Sequence, residues 1–200
     1  MKFVLDSHFL YNLFKIIIGG KRSRSILIQE YIKPDKNKNI LDLCCGPSDI
    51  LPFLEFSEYT GVDFSRKYIN YCNKKYYKIR NASFILKDVN KFLESPIPQK
   101  KYDIILFLGG MHHIDDKNLS KTLQNIKKCL TSDGRLITFD GCFEPHLSQI
   151  TKTILANDRG QFVRTKKAWV EIFTSVFMDY KFDIRTDLLR IPYNHIIFYK

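Results

Sequence analysis

Apolar residues along this chain fall into two alternating patterns, short continuous runs and longer segments with helical spacing. Five runs predict buried strands, because each is rich in branched or aromatic residues and is bounded by turn-forming residues. These runs are residues 39–44, 59–64, 82–86, 102–108 and 135–140. Helical patterns separate them, and this alternation predicts a mostly parallel sheet built from right-handed crossovers.

The helices between the strands are predicted from their apolar spacing and their first residues. A helix over 47–56 would begin at a proline, which is favoured at the first helical position. A second helix, up to about residue 77, would be capped by Ser65. A short helix is expected at 88–93 and an amphipathic one at 119–130, ahead of a turn at 132–134.

The N-terminal segment predicts two helices. Residues 3–18 have apolar positions at helical spacing, and the glycines at 19 and 20 should end that helix. The second helix is expected at about 24–32, because Pro34 then prevents its continuation.

Beyond residue 140 the alternation of strand and helix stops. Helices are expected at 147–157 and 166–177, followed by strands at 180–186 and 195–200 that are joined by a bend at Pro192. The whole pattern predicts an α/β protein, a Rossmann-like three-layer sandwich. Its sheet is mostly parallel, has seven strands and carries a C-terminal antiparallel hairpin.

The chain is strongly basic, with a formal net charge of +11 from 32 lysines and arginines against 21 acidic residues. Such an excess can attract nucleic acid, anionic lipid or acidic small molecules. Many of the lysines lie in dispersed runs, at 33–38, 74–78 and 127–128, which are typical of solvated faces. Charge alone therefore leaves a nucleic-acid partner open without favouring it.

The five cysteines are odd in number and form no pair of C-x-x-C motifs, so we expect free thiols, a reducing compartment and no metal site. No stretch reaches the roughly 18 apolar residues that a membrane span needs. Polar residues such as Asp6, His8 and Lys15 interrupt the N-terminal apolar segment, so it does not read as a signal peptide. We expect a cytoplasmic protein whose oligomeric state the sequence leaves unknown.

Candidate binding residues lie where the predicted strands end, because ligands of open α/β sheets bind beyond the carboxyl ends of the strands. The first strand contains Asp42 and ends in a loop of small residues around Gly46, which lets a ligand approach the backbone. Asp63 ends the second strand 21 residues after Asp42, a separation suited to hydrogen bonds with ribose hydroxyls. Asp88 follows the third strand and could accept from an adenine amino group.

Two common nucleotide-binding motifs are missing from the first of these loops. Gly46 is the only glycine where the nicotinamide fingerprint has G-x-G-x-x-G, and no G-K-[ST] follows as in a P-loop. A nicotinamide enzyme is therefore disfavoured.

Four segments, in order, resemble the motifs of the class I S-adenosylmethionine-dependent methyltransferases, and a fifth resembles the stretch that follows them. They are NILDLCCGPSD at 39–49, TGVDFS at 60–65, ILKDVN at 85–90, YDIILFLGGMHHI at 102–114 and LTSDGRLITFD at 130–140. The resemblance covers about residues 38–140. It implies S-adenosylmethionine as cofactor and S-adenosylhomocysteine as product.

The resemblance also implies roles for the matching positions. They are Asp42, Cys44, Cys45, Gly46, Asp63, Phe64, Asp88, Val89, Leu108 and Gly109. The first four would surround the amino-acid end of the cofactor, and the next two would bind the ribose and lie against the adenine. The following pair would receive the adenine amine, and the last two would touch the methionine portion. Cys44 and Ser48 stand where the family usually has glycines.

The carboxy-terminal third resembles the tail of a bacterial subgroup of these enzymes whose substrates are unassigned, notably over 157–169. We expect residues 1–200 to form one domain without linker or repeat. Within it, residues 1–37 would form an N-terminal helical cap, 38–140 the cofactor-binding core, and 141–200 the substrate-side helices and terminal hairpin.

Each of these residues also has a simpler interpretation. Asp63 and Asp88 both precede helical segments and could be helix caps. Capping would not explain why carboxylates recur at successive strand ends of one sheet. Cys44 and Cys45 could be nucleophiles, but cysteines in such a position are more often small core residues.

The candidate catalytic residues are His112 and His113, where the fourth strand opens into the site, because histidine titrates near neutrality and can accept a proton. Adjacent side chains point differently, so we expect one of them, His113, to face the acceptor. Two histidines that only order the loop are the alternative.

Candidate substrate residues lie in the C-terminal third. Arg159 or Arg164 could hold a phosphate or carboxylate of an anionic acceptor, or could pair with Asp158 instead. Tyr193 and His195 are further candidates.

The sequence thus predicts a methyltransferase for a small-molecule acceptor, with oxygen as the acceptor atom. A nucleic-acid methyltransferase remains an alternative, although no NPPY or DPPY tetrapeptide is present to receive a flipped base. A non-catalytic cofactor-binding protein of the same fold is another, which intact Asp63 and Asp88 argue against.

Overall fold

The computed structural model describes residues 20–95, 100–158 and 160–200. The helix predicted at 3–18 and the candidate Arg159 lie outside these residues. The helices are α1 (Gly20–Ile26), continued by a π-helix (Leu27–Ile32), α2 (Arg66–Lys75), α3 (Val89–Leu93), α4 (Asp116–Cys129), α5 (Gln149–Ala156) and α6 (Lys166–Thr174). The strands are β1 (Asn39–Leu43), β2 (Glu58–Asp63), β3 (Ala82–Leu86), β4 (Tyr102–Leu108), β5 (Leu130–Phe143), β6 (Arg164–Thr165), β7 (Lys181–Arg185) and β8 (His195–Tyr199). Two 3₁₀ turns cover Leu51–Phe53 and Met111–His113.

Seven of these strands form one continuous sheet in the order β3-β2-β1-β4-β5-β8-β7, and β6 adds a short pairing to β5. Strands β1 to β5 run parallel, whereas β8 is antiparallel to both β5 and β7. The predicted fold class is therefore confirmed, including the C-terminal hairpin. The strand order reverses between β1 and β4, which is where a ligand is expected.

Apolar layers cover both faces of the sheet. Leu41 and Leu43 of β1 face one layer, together with Leu123 of α4, and Ile40 faces the other, together with Leu27 of the π-helix. Because the central parallel strand is buried on both faces, it reads as a continuous apolar run rather than an alternating one. Asp42 interrupts that run at its buried carboxyl end.

Side-chain caps set where three helices begin. The Ser65 hydroxyl accepts from the backbone N–H of Tyr68 at the start of α2, as predicted. The Asp88 carboxylate caps α3. Helix α4 begins at Asp116, three residues before the predicted start, because Asp115 caps it by accepting from the N–H of Asn118.

The helix predicted over 47–56 is wrong. Only the 3₁₀ turn Leu51–Phe53 forms there, and the backbone hydrogen bonds around it span three residues, such as Leu54 N–H to the Leu51 carbonyl. Pro52 cannot donate the N–H that an α-helix would need at this point, and the loop before it is left-handed at Ser48.

Two other boundaries differ from the prediction. Gly20 lies within α1, which begins before the predicted residue 24. The turn predicted at 132–134 is an irregularity inside β5. Tyr102 of β4 is paired with Leu130 of β5, and Ile104 is paired with Arg135. The segment of β5 between these pairs is therefore longer than that of β4, and β5 bulges there without ending.

Candidate functional site

The loop that follows β1 has an unusual backbone. Cys44, Gly46 and Ser48 have φ angles of 56°, 53° and 48°, which are left-handed values that residues with side chains rarely adopt. A Cβ built on Gly46 would meet nothing within 4 Å, so this glycine borders open space. The loop therefore turns sharply and brings exposed backbone to the carboxyl end of β1.

The carboxylate of Asp63 ties this loop to β2. Its Oδ2 accepts from the N–H of Gly46 at 2.9 Å, and its Oδ1 accepts from the N–H of Ser65 at 2.8 Å. Burial raises the pKa of Asp63, and the two backbone N–H groups oppose that rise. Each carboxylate oxygen keeps further acceptor capacity beyond its one bond.

Asp42 lies on β1, beside β2, and on the same face of the sheet as Asp63. It is paired with Gly61, which lies two residues before Asp63 and therefore on the same face of β2. The hydroxyl of Tyr59 donates to Asp42 Oδ2 at 2.5 Å. Burial, and to a lesser degree the charge of Asp63, raise the pKa of Asp42 to about 7. This carboxyl is therefore part of the wall beneath the loop and is close to half protonated at neutral pH.

The strand-end carboxylates converge on the side chain of Cys44. Burial raises the pKa of its thiol, and nearby negative charges raise it further. The carboxylates that act on it are those of Asp63, Asp42, Asp140 and Asp88. The three acidic residues that the sequence singled out are among them. Because its pKa is raised, Cys44 is not an activated nucleophile.

The residues on the outer side of this group differ in exposure. Phe64, next to Asp63, is 74% exposed and offers a free ring. Asp88 is exposed, and its Oδ1 accepts from the N–H groups of Asn90 and Lys91 in its capping role. Val89 is buried in the apolar layer beneath α4 and reaches the surface little.

The end of β4 forms the opposite border. Gly109 has a φ of 73°, and a Cβ built on it would also meet nothing within 4 Å. Its N–H donates to the carbonyl of Phe139 on β5 at 2.6 Å. Leu108 is half-buried beside it. Gly46 and Gly109 thus border open space on either side of the point where the strand order reverses.

His112 is held between two carboxylates. Its Nδ1 lies 2.6 Å from Asp140 Oδ1, and its Nε2 lies 3.3 Å from Asp158 Oδ1. Burial alone lowers the pKa of His112, but the hydrogen bonds and charges of these two residues raise it to about 10. The imidazole is therefore protonated at neutral pH, and both of its nitrogens are paired with carboxylates. It cannot take a proton from the molecule that receives the methyl group.

His113 is exposed, and its ring lies 4.4 Å from the His112 ring, centre to centre. The two adjacent histidines do face different surroundings. Of the pair, His113 is the one whose side chain is open to solvent.

Arg164 is turned away from the cleft. Its Nε donates to Asp116 Oδ1 at 2.7 Å, and its terminal nitrogens donate to the carbonyls of Phe162 and Ile114 at 2.8 and 2.5 Å. The guanidinium also lies over the ring of Trp169. Arg164 therefore holds the loop before α6 in place. Its ion pair is with Asp116 rather than with Asp158, the partner that the sequence suggested.

Asp158 belongs instead to a polar network above the end of β5. Besides His112, it accepts from the hydroxyl of Tyr193 at 2.7 Å and from the N–H of Gly160 at 3.0 Å. Although burial alone raises the pKa of Asp158, these bonds hold it well below its usual range. A Cβ on Gly160 would lie 1.7 Å from the His112 ring, so only glycine fits there.

The sequence analysis missed the roles of Asp140 and Asp158. Asp140 ends the fifth predicted strand, as Asp63 ends the second, and that position was the available signal. Asp158 was considered only as a partner for arginine. No sequence feature indicated that both carboxylates would pair with one histidine.

Comparison with known proteins agrees with this architecture. Residues 34–180 match a family model described as Methyltransferase domain. A Demethylmenaquinone methyltransferase of Leptospira interrogans is 30% identical over 109 residues, which are 51% of this chain and 42% of that protein. The chain thus spans less than half the length of this relative.

Solved structures share the fold at low sequence identity. An S-adenosylmethionine-dependent methyltransferase from Clostridium acetobutylicum superposes with a TM-score of 0.71 at 13% identity, covering 96% of this chain and 95% of that one. The plantazolicin methyltransferase BamL, in complex with a triazolic desmethylPZN analog and SAH, superposes with a TM-score of 0.67 at 15% identity, covering 96% of this chain and 88% of that one. Among the helices described here, none is long and apolar enough to cross a membrane.

Proposed function

This chain belongs to the methyltransferase-domain family, and we propose that it transfers a methyl group from S-adenosylmethionine to an oxygen atom of a small-molecule acceptor. The observation that carries the proposal is the bridge from Asp63 to the N–H of Gly46, with open space beside both Gly46 and Gly109. A carboxylate and two left-handed glycines at the point of strand reversal suit an adenosyl group better than any other ligand that the sequence suggested.

The residues present fit this cofactor. The remaining acceptor capacity of Asp63 suits the two ribose hydroxyls, and the exposed ring of Phe64 suits the face of a purine. Asp88 Oδ2, which accepts no hydrogen bond from the described residues, would receive the adenine amine. The backbone at Cys44, Cys45 and Gly46, with Asp42 beneath it, would hold the amino-acid end. Leu108 and Gly109 would lie along the methionine portion.

When bound, the cofactor supplies a methyl group on a sulfonium centre that is already activated for in-line displacement. The protein then has to align the acceptor and, for a hydroxyl group, remove its proton. His113 is our candidate for accepting that proton, because it is exposed in the turn after β4, whereas both ring nitrogens of His112 are paired with carboxylates. His112 would order the loop between β4 and α4.

A small-molecule acceptor is supported by the relatives, which are named for demethylmenaquinone and plantazolicin. Among the described residues, Arg164 offers no free nitrogen to an anionic acceptor, because each of its nitrogens already has a partner. Asp140 and Asp158 add negative charge to the acceptor side. We therefore propose an acceptor without a phosphate or carboxylate near the reacting atom.

Calorimetric titration with S-adenosylhomocysteine tests the cofactor site. Asp63→Ala should weaken binding by roughly 10- to 100-fold, because it removes two charge-assisted hydrogen bonds. Asp63→Asn, which keeps one acceptor oxygen and the size of the side chain, should weaken it less. The matched control is Asp133→Asn at an exposed residue in the irregular part of β5.

Because Asp63 also holds Gly46 and Ser65, each variant must first give a wild-type circular dichroism spectrum. Affinity within twofold of wild type in a folded Asp63→Ala protein would refute the cofactor assignment. Absence of binding to the wild-type protein would refute it as well.

A further inference from the structure

Three rings pack in a row at the end of the sheet next to Gly109, the first two stacked and the third tilted, and we call this row the stack. The centres of the Phe139 and His195 rings are 4.1 Å apart, with 18° between the ring planes. The centres of the Tyr193 and His195 rings are 4.6 Å apart, with 38° between the planes. Phe139 is paired with Leu108 of β4, and its carbonyl accepts from the N–H of Gly109. The stack therefore starts at the border of the proposed cofactor cleft and runs across β5 to β8.

The stack is closed at one end and open at the other. Tyr193 and His195 are 8% and 3% exposed, and the Tyr193 hydroxyl is fixed by Asp158. Phe139 is only half-buried, so part of its ring remains available. A flat molecule that entered the cleft beside Gly109 would meet an aromatic surface that is already rigid.

The stack is also polar at one edge without being positively charged. Burial lowers the pKa of His195 to about 3, so its imidazole is neutral at pH 7. Its Nδ1 is buried and has no partner in the part of the chain that the structure describes. This nitrogen is not open to a ligand beside Phe139, because the His195 ring lies behind the Phe139 ring and is 3% exposed.

The fixed charges near the stack are mainly negative. Asp158 lies against Tyr193, and Asp140 is buried on β5 next to Phe139 in the sequence. The cation between them, His112, is already paired with both carboxylates. An anionic group placed at this wall would be repelled and would find no free cation among these residues.

We propose that Phe139, backed by His195 and Tyr193, is the wall against which the methyl acceptor lies, and that the acceptor carries a flat unsaturated ring with a hydroxyl group and no anionic group. This inference rests on the proposed function, because it takes the cleft beside Gly109 as the cofactor site. The ring would stack on the open part of Phe139. The hydroxyl would lie toward His113.

Saturation-transfer NMR with three small probes tests the wall on the full chain, with and without S-adenosylhomocysteine. Phenol should bind, cyclohexanol should bind roughly three- to tenfold more weakly, and benzoate should not compete with phenol. Phe139→Leu should weaken phenol binding by a similar factor and leave cyclohexanol unchanged. Phe139→Tyr, which keeps the aromatic face, should bind phenol as the wild type does.

The matched control is Phe182→Leu on β7, where a half-buried ring packs near Phe198 away from the cleft. This variant should bind phenol normally. Equal binding of phenol and cyclohexanol, displacement of phenol by benzoate, or equal effects of the two leucine variants would each overturn the proposal. Failure of S-adenosylhomocysteine to bind would count against the cofactor site alone, because the phenol measurement is also made without it.

Discussion

The Asp63 carboxylate accepts a hydrogen bond from the backbone N–H of Gly46 at 2.9 Å, and it thereby joins the end of β2 to the loop that follows β1. The same carboxylate accepts from Ser65, the residue that caps α2. One side chain thus fixes a loop and a helix start around the open space beside Gly46. Such an arrangement reduces the ordering that a ligand would otherwise have to impose on the loop.

Asp42→Asn should make the protein more stable at pH 8. The folded-state pKa of Asp42 is about 7, against an ordinary value of 3.8, because burial favours the neutral form. The contribution of Asp42 to the free energy of unfolding should therefore fall as the pH rises from about 4 through 7. Asparagine stays neutral, so the variant should gain roughly 2 kcal/mol in the free energy of unfolding at pH 8.

Urea unfolding of both proteins at pH 5 and pH 8 measures this gain, with Asp133→Asn as the exposed control. The difference between Asp42→Asn and wild type should be larger at pH 8 than at pH 5. A variant that is equally destabilised at both pH values would contradict the raised pKa.

His112→Gln should lower the free energy of unfolding by about 3 kcal/mol at pH 7, because it leaves Asp140 and Asp158 without their shared cation. The pKa of His112 in the folded protein is about 10, against an ordinary value of 6.5. Its stabilising contribution should therefore be complete below about pH 6.5 and should be lost as the pH rises through 10.

The difference between the two proteins isolates this contribution, since their lysines and tyrosines are the same. Urea unfolding from pH 6 to pH 10 should show the wild type approaching the variant at the alkaline end. A constant gap over that range would mean that His112 does not hold its proton as the two carboxylates imply.

Arg164→Lys should destabilise the protein by about 2 kcal/mol without affecting the cofactor site, because lysine lacks the planar group that reaches Asp116 and two carbonyls together. Thermal unfolding measures the first effect, and calorimetry with S-adenosylhomocysteine the second. An unchanged melting temperature would show that the contacts of Arg164 contribute little to stability.

The sequence predicted the sheet well because its signals are local. A buried parallel strand must be apolar on both faces, and a helix between strands must be apolar on one, so each element can be recognised from its own residues. The helix predicted over 47–56 from the favourable start at Pro47 does not form, because Pro52 prevents an α-helix from continuing.

The carboxylates at the strand ends could also be foreseen, since parallel strands bring their carboxyl ends to one edge of the sheet. The charges of Asp42, Asp63 and Asp88 all raise the pKa of one thiol, that of Cys44. The hydrogen-bond partners of each carboxylate were not predicted. Asp88 does cap a helix, as the simpler interpretation held, whereas Asp63 bridges two elements.

The sequence by itself determined the order of strands and helices and the edge at which the acidic residues gather. Only the tertiary structure decided the partners of the polar side chains above β5. His112 pairs with Asp140, 28 residues away, and Arg164 pairs with Asp116, 48 residues away. Hydrophobic periodicity specifies which face of an element is buried, but it carries no information about which polar groups then meet. Those partners follow from the packing of loops that belong to different strands.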